Sequence, residues 1–374
     1  MEAAAFELVQ RTRVEQAIDG GRFQRFHKEL LRATPPSGRP LALVRKWRDD
    51  LPRKGVVLLV HGFAQNRYSW HLSSRSFVNH LADRGFDVFN LELTGHGRSR
   101  DYGSRPAREF DHYVDDASAV ILGTCAWAKS DATFLVGHSL GGAVCYAAAT
   151  QVTEQVAGLV SVAGLFNFGS NPAIGAIANF LQSMRGVERL VRKLGLGVAG
   201  RFLGRALIDR LETTESLFER LPVAGWVPGS TEPHVLQERL IRGFDWTGVN
   251  ILLTMLRWAS EGTFTGEGGR DYAEEFSRLD LPLLVLAGDR DRLLPPADAR
   301  PAYDLSASTD KTWKCFGDSE THWGHLDIVL GEKAPKVVWP YITDWLEERG
   351  EQPRPGSETP APRVRTRRPA SGPA

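Results

Sequence analysis

Cysteine is scarce: the 374 residues hold three, Cys125, Cys145 and Cys315, widely spaced and without a CxxC pair. That count and spacing indicate neither a disulfide framework nor a zinc site, so a reducing cytoplasm fits. No apolar run approaches the roughly 18 residues that a membrane-spanning helix requires. Neither charge dominates, since 46 Lys and Arg against 45 Asp and Glu leave a formal charge of +1. A basic nucleic-acid-binding protein is therefore not expected. The opening segment "MEAAAFELVQRTRVEQAIDG" lacks the apolar core of a signal peptide. Its acids and arginines fall at helical intervals, which predicts a helical extension over residues 1–40.

What is present is the composition of a globular domain, 42% hydrophobic and 24% charged, with enough chain for one large core plus an insertion. From residue 41 to 166 apolar runs of strand length alternate with helix-length amphipathic segments. The runs are "VVLLVH" (56–61), "FDVFNLEL" (86–93), "ATFLVGH" (132–138) and "AGLVSVAG" (157–164). Near-continuous apolarity indicates strands covered on both faces, as in a parallel sheet with crossover helices. "LALVRKWR" reads as an earlier strand, paired antiparallel at the sheet edge.

The alternation resumes over 279–349 with "LPLLVLAG", "KTWKCF" and a final helix from about Lys333 to Glu348. The interruption, 167–278, reads as a helical cap rich in aromatic residues, among them Phe180, Phe202, Trp226, Trp246 and Trp258. Within it, Phe180, Leu181, Met184, Val187, Val191 and Leu194 fall at helical spacing, with Arg185, Arg189, Arg192 and Lys193 opposite. Such a helix buries its apolar stripe over a site. Its basic face also admits weak contact with an anionic membrane surface. The Pro-, Ser- and Arg-rich stretch 350–374 reads as a disordered tail.

The chemistry centres on "LVGHSLGG" (135–142). Ser139 follows a buried strand directly and opens a small-residue helix, with Gly137 and Gly141 two positions away on either side. That is the setting of a nucleophile elbow, in which the serine oxygen stands clear of the sheet at a helix N-terminus. A serine hydroxyl needs a base, and the base needs an orienting group; with this elbow they follow in the order acid, then histidine. "GDRDRLLPP" offers Asp289 and Asp291. Asp291, three residues beyond Gly288 and shortly before Pro295, is favoured as the acid. Asp289 is expected to cap the turn or pair with an arginine. "GDSETHWGHLDIVLG" offers His322 and His325; the preceding Gly324 and the helix start that follows favour His325 as the base. In "VHGFAQN" the chain leaves its strand through His61-Gly62, so the backbone amides of Phe63 and Leu140 are the expected oxyanion donors. His61 is expected to shape that loop. Neither a metal nor a cofactor is called for.

Together "VVLLVHGF", "LELTGHGRS", "LVGHSLGG", "LAGDRD" and "GHLD" resemble the α/β-hydrolase family over roughly residues 41–349. "TGHGRS" is similar to the turn of lysophospholipase and monoacylglycerol-lipase relatives, where Asp is common at the place of Glu92. "GHLDIVLG" is similar to acid lipases and polyester synthases, although the latter carry a cysteine where this chain has Ser139. The resemblance implies a mainly parallel sheet with helices on both faces and a cap over the site. It also implies acyl transfer to water from an ester with an apolar or lipid-like acyl group. An acyltransferase or thioesterase would use the same three residues.

Overall fold

The computed structural model describes residues 1–183, 197–199 and 224–350. Arg185, Arg189, Arg192 and Lys193 of the expected basic face, Phe202, and all but the first residue of the expected tail lie outside the described residues.

Nine strands form one sheet: β1 (Ala5–Asp19), β2 (Arg22–Thr34), β3 (Leu41–Trp47), β4 (Gly55–Val60), β5 (Phe86–Glu92), β6 (Thr133–His138), β7 (Val156–Val162), β8 (Leu283–Gly288) and β9 (Lys311–Phe316). Their spatial order is β1-β2-β3-β5-β4-β6-β7-β8-β9. The six strands from β5 to β9 run parallel, and β1, β2 and β3 are joined antiparallel. The apolar runs thus fall on the parallel strands, as their composition predicts. Val56, Leu58 and Val60 enter a core on one face of the sheet, and Val57 and Leu59 a core on the other. Helices α1 (Phe77–Asp83), α2 (Phe110–Ala128), α3 (Leu140–Gln151) and α4 (Pro172–Ser183) follow in the first half of the chain. Ser76 caps α1, its side chain accepting from the Asn79 amide. In the second half lie α5 (Val249–Glu261), α6 (Pro296–Leu305) and α7 (Ala334–Glu348).

The N-terminal segment departs from its expected form: residues 1–40 are not helical but supply the hairpin β1–β2. Thr12, Val14, Gln16 and Ile18 alternate inward against exposed Arg11, Arg13 and Glu15, which is the two-residue period of a strand. The charges that suggest helical spacing line its outer face. Gly20, at φ 54°, and Gly21 make the tight turn between the paired Asp19 and Arg22. This hairpin also corrects the placement of β3, which is antiparallel as expected but lies two strands in from the edge. The joint is electrostatic as well as apolar. Glu29 sits directly opposite Arg45 on β3 and accepts from Arg45 Nη1 at 3.0 Å, Arg11 Nε at 2.8 Å and Trp127 Nε1 at 3.2 Å.

Between β7 and β8 the chain makes the 167–278 excursion, whose described parts include α4, α5 and the short helices Pro233–Glu238 and Tyr272–Ser277. Gly197–Ala199 pairs antiparallel with Trp246–Gly248. Trp258 is buried in the main core, its ring 4.8 Å from that of Phe110. Phe180 and Trp246 are exposed.

Candidate active site

Tight packing dictates the elbow. Ser139 joins β6 to α3 at φ 56°, ψ −125°, a conformation that a residue with a side chain adopts only when its surroundings impose it. The flanking glycines show what imposes it. A Cβ on Gly137 would lie 2.4 Å from the Gly141 carbonyl oxygen, and one on Gly141 2.4 Å from that of Val60. The Ser139 amide donates to Val162 O at 3.2 Å, and its carbonyl accepts from Gly142 and Leu165 at 2.9 and 3.0 Å.

The loop after β4 presses on the same corner, because a Cβ on Gly62 would meet Ser139 Cβ at 2.9 Å. Phe63 follows it, and Leu140 heads α3, where the first amides have no intrahelical acceptor. His61 holds this loop from beneath: Nδ1–H donates to Gly62 O at 2.9 Å and Nε2 accepts from the Leu93 amide at 3.1 Å. Burial, then the neighbouring His96, pushes the His61 pKa down to about 3, so it stays neutral.

His325 and Asp291 meet at the ends of two loops. His325 Nδ1–H donates to Asp291 Oδ2 at 2.7 Å, with side chains 1% and 0% exposed. Asp291 Oδ1 is engaged separately by the amides of Leu293 and Leu294, at 3.0 and 2.7 Å. This leaves His325 Nε2 as the lone-pair nitrogen, buried and without a hydrogen-bond partner among the described residues. The His325 ring centroid lies 4.7 Å from that of His138, the residue preceding Ser139.

The alternative acid and base are joined to each other. His322 Nδ1 donates to Asp289 Oδ2 at 2.6 Å, both side chains being about a third exposed or less. Asp289 Oδ1 accepts the Trp323 amide at 2.9 Å. The expected turn-capping role of Asp289 thus has a counterpart, while its main partner is a histidine rather than an arginine.

Several further residues shape the site, His138 and Asp327 lying inside "LVGHSLGG" and "GHLD" and Asp245 outside any quoted motif. His138 Nε2–H donates to the His325 carbonyl at 2.9 Å, and burial keeps its pKa well below the usual histidine range. Asp327 accepts the Gly324 amide on both oxygens at 3.0 Å, and burial raises its pKa to about 6. Asp245, from the excursion, accepts from the amides of Gly97 and Trp246 and from Arg100, tying the "TGHGRS" turn down. "GHSLG" contains His138, but only the fold discloses its partner.

Comparison with known proteins bears on the fold that carries these residues. A family model described as serine aminopeptidase, S33, matches residues 52–221. A monoacylglycerol lipase of Paleococcus ferrophilus superposes with a TM-score of 0.56 at 18% identity, covering 83% of this chain and 99% of that one. The chain has the α/β-hydrolase fold. It is 24% identical over 305 residues to the monoacylglycerol lipase of Mycolicibacterium smegmatis, covering 80% of this chain and 90% of the relative. It is also 24% identical over 336 residues to a poly(3-hydroxyalkanoate) polymerase subunit of Haloferax mediterranei, of whose length it spans only 61%.

Among the described residues no cluster of His, Cys, Asp and Glu could hold a metal, and all three cysteines are free thiols. No described helix is long and apolar enough to cross a membrane.

Proposed function

We propose that this α/β-hydrolase cleaves carboxylic esters with an apolar, lipid-like acyl group through a covalent acyl-serine. The carrying observation is the fully buried His325–Asp291 hydrogen bond of 2.7 Å beside the strained Ser139 corner. In this reading Ser139 Oγ attacks the ester carbonyl and His325 Nε2 takes its proton. Asp291 holds the imidazole in the tautomer that presents a lone pair, then stabilises the imidazolium. The tetrahedral oxyanion accepts hydrogen bonds from the amides of Phe63 and Leu140. His325 returns the proton to the departing alcohol. Water, deprotonated by the same histidine, releases the acid.

Two further observations support this reading. The monoacylglycerol lipase relatives cover most of their own length with this chain, and the 167–278 excursion contacts the loops that carry the site, as a cap does. The relationship to a polymerase subunit favours one competing reading, in which an alcohol or thiol acceptor replaces water. Location in the cytoplasm, suggested by the dispersed cysteines, belongs to the same reading.

Fluorophosphonate labelling followed by an ester panel of graded acyl length tests the proposal. Parent protein labels and hydrolyses, and Ser139→Ala does neither while melting as a folded protein. Retention of more than a few per cent of activity in that variant would remove Ser139 from its role. Products in which added alcohol or thiol outcompetes water would make the enzyme a transferase.

A further inference from the structure

The excursion grips the residue that follows His325 by both backbone polar groups. The Leu326 amide donates to the Gly225 carbonyl at 2.8 Å, and the Leu326 carbonyl accepts from Arg239 Nη1 at 2.8 Å. The Leu326 side chain is buried among Trp226, Leu236 and Leu240. One residue earlier, the His325 carbonyl is held by His138 from the elbow side. Two consecutive carbonyls of the base loop are therefore held from other elements, His325 O by the nucleophile's neighbour and Leu326 O by Arg239 of the cap, which is closer to it than the amides of Val329 and Leu330 at 3.2 and 3.4 Å.

Arg239 is an expensive choice for a packing residue. It is 3% exposed, forms no ion pair among the described residues, and leaves Nη2 without a hydrogen-bond partner. Burial lowers its pKa to about 10, so the guanidinium remains charged at neutral pH. A buried cation that has only the field of Asp327 and no ion-pair contact among the described residues to offset its lost hydration costs free energy that an apolar side chain of similar volume would not. Its return lies in the carbonyl it holds. It also opens a π-helical turn, Arg239–Gly243, an arrangement frequent at functional sites. The end of that turn and the two residues after it lie on the oxyanion loop: Asn66 N donates to Gly243 O at 3.1 Å, and Asp245 N to Ala64 O at 2.7 Å.

We propose that Arg239 is a positioning residue: by fixing the Leu326 carbonyl it sets the direction of the His325 ring, so the base is correctly aimed only when the cap is seated. The kinetic consequence rests on the reading of His325 as the base; the geometric one does not.

The test uses the full chain with Arg239→Met, which keeps bulk and removes the donors, and Arg239→Lys, which keeps one donor. The readouts are kcat and KM on an ester, melting temperature, and the low-field proton resonance of His325 Nδ1–H, assigned by its loss in His325→Gln. We expect Arg239→Met to lower kcat by about tenfold to a hundredfold, the cost of a slightly misplaced catalytic group. KM should change by less than about twofold, since the guanidinium is not aimed at substrate binding. The resonance should shift or broaden, and Arg239→Lys should recover much of the loss. A folded Arg239→Met with parent kcat and resonance would overturn the assignment while leaving the hydrolase reading intact. A parent without ester activity whose resonance still moves in Arg239→Met would sink the hydrolase reading and keep the positioning role. Failure of both variants to fold would make Arg239 a residue of the fold alone and end the proposal.

Discussion

Replacing Asp291 by Asn changes one atom, and the structure dictates which way the amide must turn. Oδ1 accepts from the amides of Leu293 and Leu294 at 3.0 and 2.7 Å, so the amide oxygen has to occupy that place. The NH2 then faces His325 Nδ1, now 2.7 Å from a donor instead of an acceptor. His325 can satisfy it only by giving up the Nδ1 proton and carrying the proton on Nε2, where it cannot accept one from Ser139. Burial gives the pair no water to escape to, since the two side chains are 1% and 0% exposed. In a serine hydrolase the equivalent change costs about 10,000-fold in kcat, or about 5 kcal/mol of barrier. Asp289→Asn disturbs the His322 pair, which is about a third exposed or less, and the Trp323 amide contact, and should cost less than about tenfold because neither lies on the His325–Asp291 hydrogen bond. Initial rates on a p-nitrophenyl ester, with circular dichroism on each variant, decide it. Equal losses, or Asp291→Asn retaining a few per cent of kcat, would refute the tautomer argument.

Gly62→Ala should fold but lose about a hundredfold in activity, because its Cβ would lie 2.9 Å from Ser139 Cβ and 3.2 Å from the His138 carbonyl oxygen, forcing the oxyanion loop away; unchanged turnover would mean that the loop is not part of the site. Ser139→Gly should be as inactive as Ser139→Ala yet more stable by about 1 kcal/mol in urea titration, since glycine adopts φ 56° without strain. A less stable glycine variant would show that the corner is not strained. Burial alone would raise the pKa of Glu29, but hydrogen bonds from Arg11, Trp127 and Arg45 more than offset it and hold it below the usual carboxylate value. A depressed pKa contributes stability that is present above the unfolded value of about 4.3 and is lost as the pH falls through the folded one. Melting curves from pH 7 to pH 3 should therefore drop less steeply for Glu29→Gln, which starts lower at pH 7; parallel curves would show that the pair is not linked to folding.

The sheet was legible because its strands lie in the middle of the molecule. A segment such as "VVLLV", covered on both faces, is apolar at every position, and its length and β-branched content mark it as a strand rather than a buried helix. The first forty residues suggest a helix for the converse reason. Strand β1 is covered on one side only, its outer face carries Arg11, Arg13 and Glu15, and the partner that settles its form, β2, becomes apparent only when the Gly20-Gly21 turn is weighed. Glu29 and Arg45 pair across strands 16 residues apart in the chain, a contact that no local pattern encodes.

At the site, the legible features were those with a fixed local geometry. Two glycines around a serine report a backbone corner, and "GDRD" and "HWGH" report two loops that each offer two candidates. What separates the candidates is burial, which a single sequence does not contain. Asp291 and His325 lie under the neighbouring loops, whereas Asp289 and His322 form an equally short hydrogen bond in partial contact with water. The difference matters chemically, because an ion pair that forms during turnover is stabilised far more where water is excluded than at a surface. The side chains that do the excluding and aiming, His138 and Arg239, come from the elbow and from a segment more than 80 residues before His325. Their partners are backbone carbonyls, to which any residue type could have contributed. A carbonyl acceptor leaves no trace in the sequence, so a positioning contact of this kind is visible only once the chain is folded.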